Sequence, residues 1–304
     1  MRLLALLLAA SPLVAQVVSS QISGTIFDSS GAVVPGAPVT ARNLGTGHTR
    51  QIRSNESGFY AFPDLPPGRY EMNVEAQGFK KFAESGIDLS ANSKITVNAT
   101  LQPGVVTEVV EVVSLTNRVE TSSGEVGAVI TSKQVTELSL NGRNYVQLLQ
   151  LIPGVTTSYT TSFNLAGTAD QQINGLRGNT SGFMVDGAWN LNVGSNGTPH
   201  VSPNVDTIQE VKITTSAYSA EYGQNQGAQI NVITKSGTRD FHGGAYEFVR
   251  NDAFDASDWI SNRSGAAKPI LRYHNYGAML GGPAYIPGKW NTDRSKLFFF
   301  TSFS

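Results

Sequence analysis

Alternation of apolar and polar residues dominates the first third of the chain. In residues 69–74, Tyr70, Met72 and Val74 alternate with Arg69, Glu71 and Asn73, the pattern of a strand with one buried face. Shorter runs of the same kind occupy residues 22–27, 39–43 and 58–62, and turn residues separate them. The breaks contain Asp28 and Gly31, Pro35 and Gly36, Gly45 and Gly47, and Pro66, Pro67 and Gly68. Glycine supplies positive φ at such places and proline restricts φ. Roughly seven short strands in about 80 residues predict a small β-sandwich over residues 20–102.

From residue 103 to 118 the periodicity weakens. This stretch is expected to be an extended linker with one β-prone strip, Thr107, Glu108, Val109, Val110, Glu111, Val112 and Val113, which could also be a last or edge strand of the sandwich.

Helical spacing enters in the next domain, expected over residues 119–237. Thr131 and Gln134 fit a capping box ahead of Val135 and Leu138. After Asn141 and Gly142, the residues Tyr145, Leu148, Leu149 and Ile152 recur at helical intervals until Pro153 and Gly154. Strand-like runs follow at 172–177, 183–186, 211–215 and 227–235. The expectation is an α+β domain. Beyond Gly237, aromatic residues alternate with small ones around Tyr246, Phe248, Tyr276 and Phe298 to Phe300, as in outer-membrane barrel strands. The predicted fold class is mainly β: a β-sandwich, an α+β domain, then the first strands of an incomplete β-barrel over residues 238–304.

Several blocks carry a family resemblance. Ile22, Ser23, Gly24 and Thr25, then Pro35 to Pro38, then Ser57, Gly58, Phe59 and Tyr60 resemble a carboxypeptidase regulatory-like domain. That resemblance implies a transthyretin-like sandwich serving as a folding or interaction module, with no peptidase activity. Ile208 to Ile213, Tyr218 to Gly223 and Gly227 to Gly237 resemble the end of a TonB-dependent receptor plug. Ser139 to Asn144, Leu151 to Val155, Ile173 to Arg177 and Met184 to Gly187 are similar to the Oar-like subgroup of those receptors, with Ser139 where the subgroup often has proline.

The resemblance implies energy-coupled import of an unknown extracellular ligand across an outer membrane. It makes the strip from Thr107 to Val113 a TonB-box-like segment that pairs as a strand with the energy transducer, a second reading beside the sandwich edge strand. In a plug, Arg143, Arg177 and Asp186 become candidates for structural pairing or contact with the barrel wall. A barrel of about 22 strands needs more than 200 residues in strands alone. The chain is therefore expected to be an N-terminal portion unable to transport by itself.

Charge and the N-terminus set the compartment. The net charge of -1 and the lack of a Lys/Arg run argue against a nucleic-acid partner. The absence of cysteine removes disulfides and thiolate metal sites. Arg2, the apolar run from Leu3 to Ala10, and Ala15 form a secretory signal peptide over residues 1–15. Export to the outer membrane, facing the periplasm, is the expected localisation.

His48, His200, His242 and His274 lie far apart in the sequence and form no zinc-binding spacing. Gly45, Gly47 and His48 lack the Gly-Lys-Ser/Thr ending of a phosphate loop. Asp206 and Glu210, four apart, could share a helical face. No catalytic residue, metal or cofactor is expected, and the chain is not expected to be an enzyme. The alternative from a different class is a secreted or periplasmic module that binds protein or carbohydrate through the β-sandwich.

Overall fold

Alternate residues of β1 (Ser20–Asp28) turn inward and bury Ile22 and Ile26 completely, because a pleated strand sends successive side chains to opposite faces. The computed structural model describes residues 20–105, 109–113, 123–157, 171–178, 180–192, 198–223 and 225–304. The expected signal peptide lies outside the described residues, as do Thr107, Glu108 and residues 114–118 of the expected linker. One compact unit ends at Thr234, and a second begins at Lys235.

The first domain continues with β2 (Pro38–Asn43), β3 (Thr49–Arg53), β4 (Phe59–Leu65), β5 (Gly68–Val74), β6 (Lys81–Leu89), β7 (Lys94–Thr96), β8 (Ala99–Leu101) and β9 (Val109–Val113). One sheet runs β4-β1-β7 with β8 also on β1, and the other runs β3-β2-β5-β6-β9. Ile22, Val39, Tyr60, Phe62, Met72, Val74 and Leu101 form the core of this domain. Burial of each large apolar side chain contributes about 1.5–3 kcal/mol. At Gly24 a side chain cannot fit: an added Cβ would stand 1.9 Å from the Val97 carbonyl oxygen. The Tyr60 hydroxyl donates to that same oxygen at 2.5 Å, which fixes the residue 97 backbone against β1 and β4.

In the second domain, β10 (Val126–Thr131) leads into α1 (Ser132–Glu137). The expected capping box is present: Thr131 N–H donates to Gln134 Oε1 at 3.0 Å, and Gln134 N–H donates back to Thr131 Oγ1. The following apolar segment, Tyr145–Leu151, is a 3-10 helix instead of the α-helix that its spacing suggests. Asn144 caps it by accepting from Val146 N–H, and Pro153 closes it after two turns. A segment this short gains little from the longer α-helical ladder.

Then come β11 (Val155–Thr157), β12 (Gln171–Ile173), β13 (Gly182–Val185), β14 (Ala188–Trp189), β15 (Leu191–Asn192), β16 (Thr198–Pro199), β17 (Ile208–Ser216) and β18 (Gln229–Thr234). The strand expected over residues 172–177 stops at Ile173 because Asn174 and Gly175 turn the chain at positive φ, 53° and 77°. The main sheet is ordered β10-β17-β18-β13-β14, with β13 parallel to β18 and the other neighbours antiparallel. Phe183, Val211, Ile213, Ile230 and Val232 join Val135, Tyr145 and Leu149 in its core.

The second unit contains β19 (His242–Asn251), α2 (Trp259–Ser264), β20 (Arg272–Pro283) and β21 (Phe298–Phe303). The strands form an open antiparallel meander. Glycines face aromatic residues across it: a Cβ on Gly277 would meet the Tyr246 hydroxyl at 2.4 Å, and one on Gly281 would meet His242 and Phe300. These glycines leave room for the rings, which accounts for the alternation of aromatic and small residues in the sequence. The expected opening strands of a barrel thus form an open three-stranded sheet, and among the described residues no closed barrel is present.

Candidate functional site

Side chains at alternate positions of β17 divide the second domain's sheet into two unlike faces. Ile208, Val211 and Ile213 belong to the apolar core. Glu210, Lys212 and Thr214, with Gln229 and Asn231 of β18, form a polar patch that is nonetheless buried, at 9%, 6%, 4%, 0% and 3% exposure. Buried polar groups persist only when they are hydrogen-bonded. Here the partners come from two sources.

The loop between β17 and β18 supplies one set. Asn225 Nδ2 donates to Gln229 Oε1 at 2.7 Å, and Gln229 Nε2 donates to Asn231 Oδ1 at 2.9 Å. Tyr218 Oη donates to the Asn225 carbonyl at 3.1 Å, holding that loop over the sheet.

The sandwich supplies the other set, through residues 90–93 between β6 and β7. Glu210 Oε1 accepts from Ala91 N–H at 2.5 Å, and Lys212 Nζ donates to the Asn92 carbonyl at 2.8 Å. Asn92 Nδ2 also donates to the Tyr222 hydroxyl. Glu125, just before β10, stands 3.5 Å from Lys212 Nζ. Burial pushes the Glu210 carboxyl above the usual carboxylate range, against the opposing pull of Ala91 N–H, Ser90 and Lys212. Tyr222 is also pushed up, first by burial and then by Glu221. The positive φ of Asn92, 52°, lets the turn present its carbonyl and amide side chain in the same direction.

The structure separates the carboxylates that the spacing allowed on one helical face. Asp206 lies in a 3-10 helix, Val205–Thr207, and Glu210 lies on β17. Asp206 Oδ2 pairs with Arg143 Nη2 at 2.5 Å, with side chains only 11% and 15% exposed. Asp186 occupies a hairpin turn at φ 48° before Gly187, and its two oxygens accept from Thr234 N–H and Oγ1 at 2.8 and 2.7 Å. Arg177 is exposed, and its carbonyl accepts from Thr180. The three candidates do not converge on one site.

Residues 109–113 of the TonB-box-like strip form β9, the last strand of the sandwich sheet. It runs parallel to β6, with Lys81 opposite Val109 and Ser85 opposite Val113. The strip also keeps much of its surface: Val109 is 56% and Val112 38% exposed.

Three family models match successive segments of the chain. Residues 21–102 match a carboxypeptidase regulatory-like domain, residues 118–228 a TonB-dependent receptor plug domain, and residues 233–304 an outer membrane beta barrel domain. The TonB-dependent transporter Oar of Myxococcus xanthus is 28% identical over 306 residues, covering 94% of this chain and 26% of its own length. The chain thus carries, in order, segments similar to a TonB-dependent receptor's plug and barrel domains behind a carboxypeptidase regulatory-like domain, and it is similar to the transporter Oar.

The chain thus spans about a quarter of the curated relative it matches. That relative is a transporter, and the plug and barrel domains are those of an outer-membrane receptor family. Among solved structures, the siderophore receptor PirA from Acinetobacter baumannii is 19% identical, covering 52% of this chain and 22% of its own, with a TM-score of 0.36. Catechol 1,2-dioxygenase from Acinetobacter sp. ADP1 is 15% identical, covering 34% of this chain and 60% of its own, with a TM-score of 0.26. Likenesses this low say nothing about activity.

Of this polar patch, sequence reasoning missed Lys212 of the plug domain and Ala91 and Asn92 of the sandwich. A lysine and a glutamate at alternate positions of a strand resemble an ordinary solvated face. The available signal was the inward polar series Glu210, Lys212 and Thr214 in a strand that continues into a buried neighbour.

Proposed function

We propose that this receptor takes part in energy-coupled import of an extracellular ligand across the outer membrane, after export directed by residues 1–15. A barrel encloses the plug, and a periplasmic TonB protein acts on residues 107–113. The order of domains carries this reading: sandwich, valine-rich strip, plug, then barrel-type strands. The strip's place between sandwich and plug supports the idea that force applied to it reaches the plug through the following residues. Strand addition is the recognition mode that suits such a segment. Arg143, Asp206 and Asp186 act as internal braces of the plug, and Arg177, being exposed, is the candidate for contact with the barrel wall.

The test is envelope fractionation of cells that produce the gene's product. A heat-modifiable band in the outer-membrane fraction is the expected result. A soluble periplasmic product would overturn the reading in favour of a secreted interaction protein.

A further inference from the structure

The sandwich sheet ends in β9, and among the described residues β6 is its one strand neighbour. Without β9, β6 would be the sheet edge, a row of unpaired backbone donors and acceptors. The strip therefore covers one edge and creates another. Its hold on the sandwich comes mainly from the backbone ladder, because Val109 and Val112 remain 56% and 38% exposed while the residue opposite Val110, Phe82, is buried.

A segment already fixed as a strand loses less conformational entropy when another strand joins it. Its outer N–H and C=O groups and its exposed valines are presented together, as sheet-extending recognition requires.

We propose that the sandwich is a holder for the energy-transducer strip. β6 serves as a template that keeps residues 109–113 extended, and a strand of the TonB C-terminal domain adds to the outer edge of β9 without displacing it. This assigns the sandwich a role in presenting the strip, and it rests on the reading of residues 107–113 as the TonB contact. It also explains how one strip can be both a sandwich edge strand and a docking segment: the two roles use opposite edges.

The test uses the full chain carrying Ala83→Cys and Glu111→Cys, two positions that face each other across β6 and β9. Because the chain has no cysteine of its own, the introduced thiols are the only pair that can be oxidised. Binding of an isolated TonB C-terminal domain is measured by calorimetry with the pair oxidised and reduced. The expected result is that the disulfide forms and that the locked chain binds within about twofold of the reduced chain. Binding that is present in the reduced chain and lost in the locked chain would overturn the proposal, because the strip would then have to leave β6. Failure of the disulfide to form while both thiols react with an alkylating agent would also overturn it, by removing the β6–β9 pairing. If neither form nor the unsubstituted chain binds TonB, while a peptide carrying an established box does, the reading of the strip itself has failed.

Discussion

Glu210, in the middle of the plug sheet, accepts a hydrogen bond at 2.5 Å from the backbone N–H of Ala91, 119 residues earlier in the sandwich. Two residues along the same strand, Lys212 reaches the Asn92 carbonyl. The sandwich is thus fastened to the plug by buried polar contacts at the turn where β6 ends. The strip pairs with residues 81–85 of β6, so strip and plug both meet the sandwich along the stretch from β6 into the turn that follows it.

Glu210 should make stability depend on pH. Its carboxyl is raised by burial, so the folded state holds its proton more tightly than the unfolded state does. The resulting penalty is absent below the ordinary glutamate range of about 4.3 and complete above the raised folded value, and stability falls as pH rises between them. Glu210→Gln, which retains an oxygen acceptor for Ala91, should unfold at higher denaturant than the parent at pH 7, and the gap should close towards pH 4. Glu210→Ala leaves the Ala91 donor unmet and should cost about 1–3 kcal/mol. Urea unfolding of both variants across this pH range is the check.

Lys212 joins three segments: Glu125 before β10, Asn92 of the sandwich, and its own strand. Lys212→Met keeps most of the volume but removes the charge. It should destabilise the first compact unit, up to Thr234, by about 1–3 kcal/mol and increase hydrogen exchange at residues 90–93. Unchanged protection of those amides would show that the turn is held by other contacts.

Tyr145 presents the reverse case. Its ring is buried, and its hydroxyl has no hydrogen-bond partner among the described residues. Tyr145→Phe removes an unsatisfied polar atom and leaves the packing intact, so it should be neutral or raise stability by up to about 1 kcal/mol. A loss of more than that in chemical denaturation would mean that the hydroxyl is bonded.

Arg143 and Asp206 form a nearly buried ion pair. Removing one partner leaves the other charge stranded, so Arg143→Ala should cost about 3 kcal/mol or more. Replacing both with apolar residues of similar volume should recover much of that loss, as a double-mutant cycle would show.

The sequence disclosed features whose causes are local. Alternation marked β5 through Tyr70, Met72 and Val74, and Thr131 with Gln134 marked the start of α1, because a cap is made by residues three apart. Features that depend on distant partners were hidden. Nothing local to Glu210 reveals Ala91, and nothing in the valine strip reveals that β6 lies beside it. The segment at Tyr145 has a helical period that a 3-10 helix of seven residues satisfies as well as an α-helix does over so short a run.

The most direct test of the account is site-specific photo-cross-linking in cells, with a photoreactive residue in place of Glu111, whose side chain is exposed. The account predicts a covalent adduct with TonB. Val110→Pro removes a backbone donor from the strip and should reduce the adduct by roughly five- to tenfold. No TonB adduct at Glu111, under conditions where the same probe in a resident receptor's own box gives one, would contradict the claim that this strip is where the receptor meets its energy source.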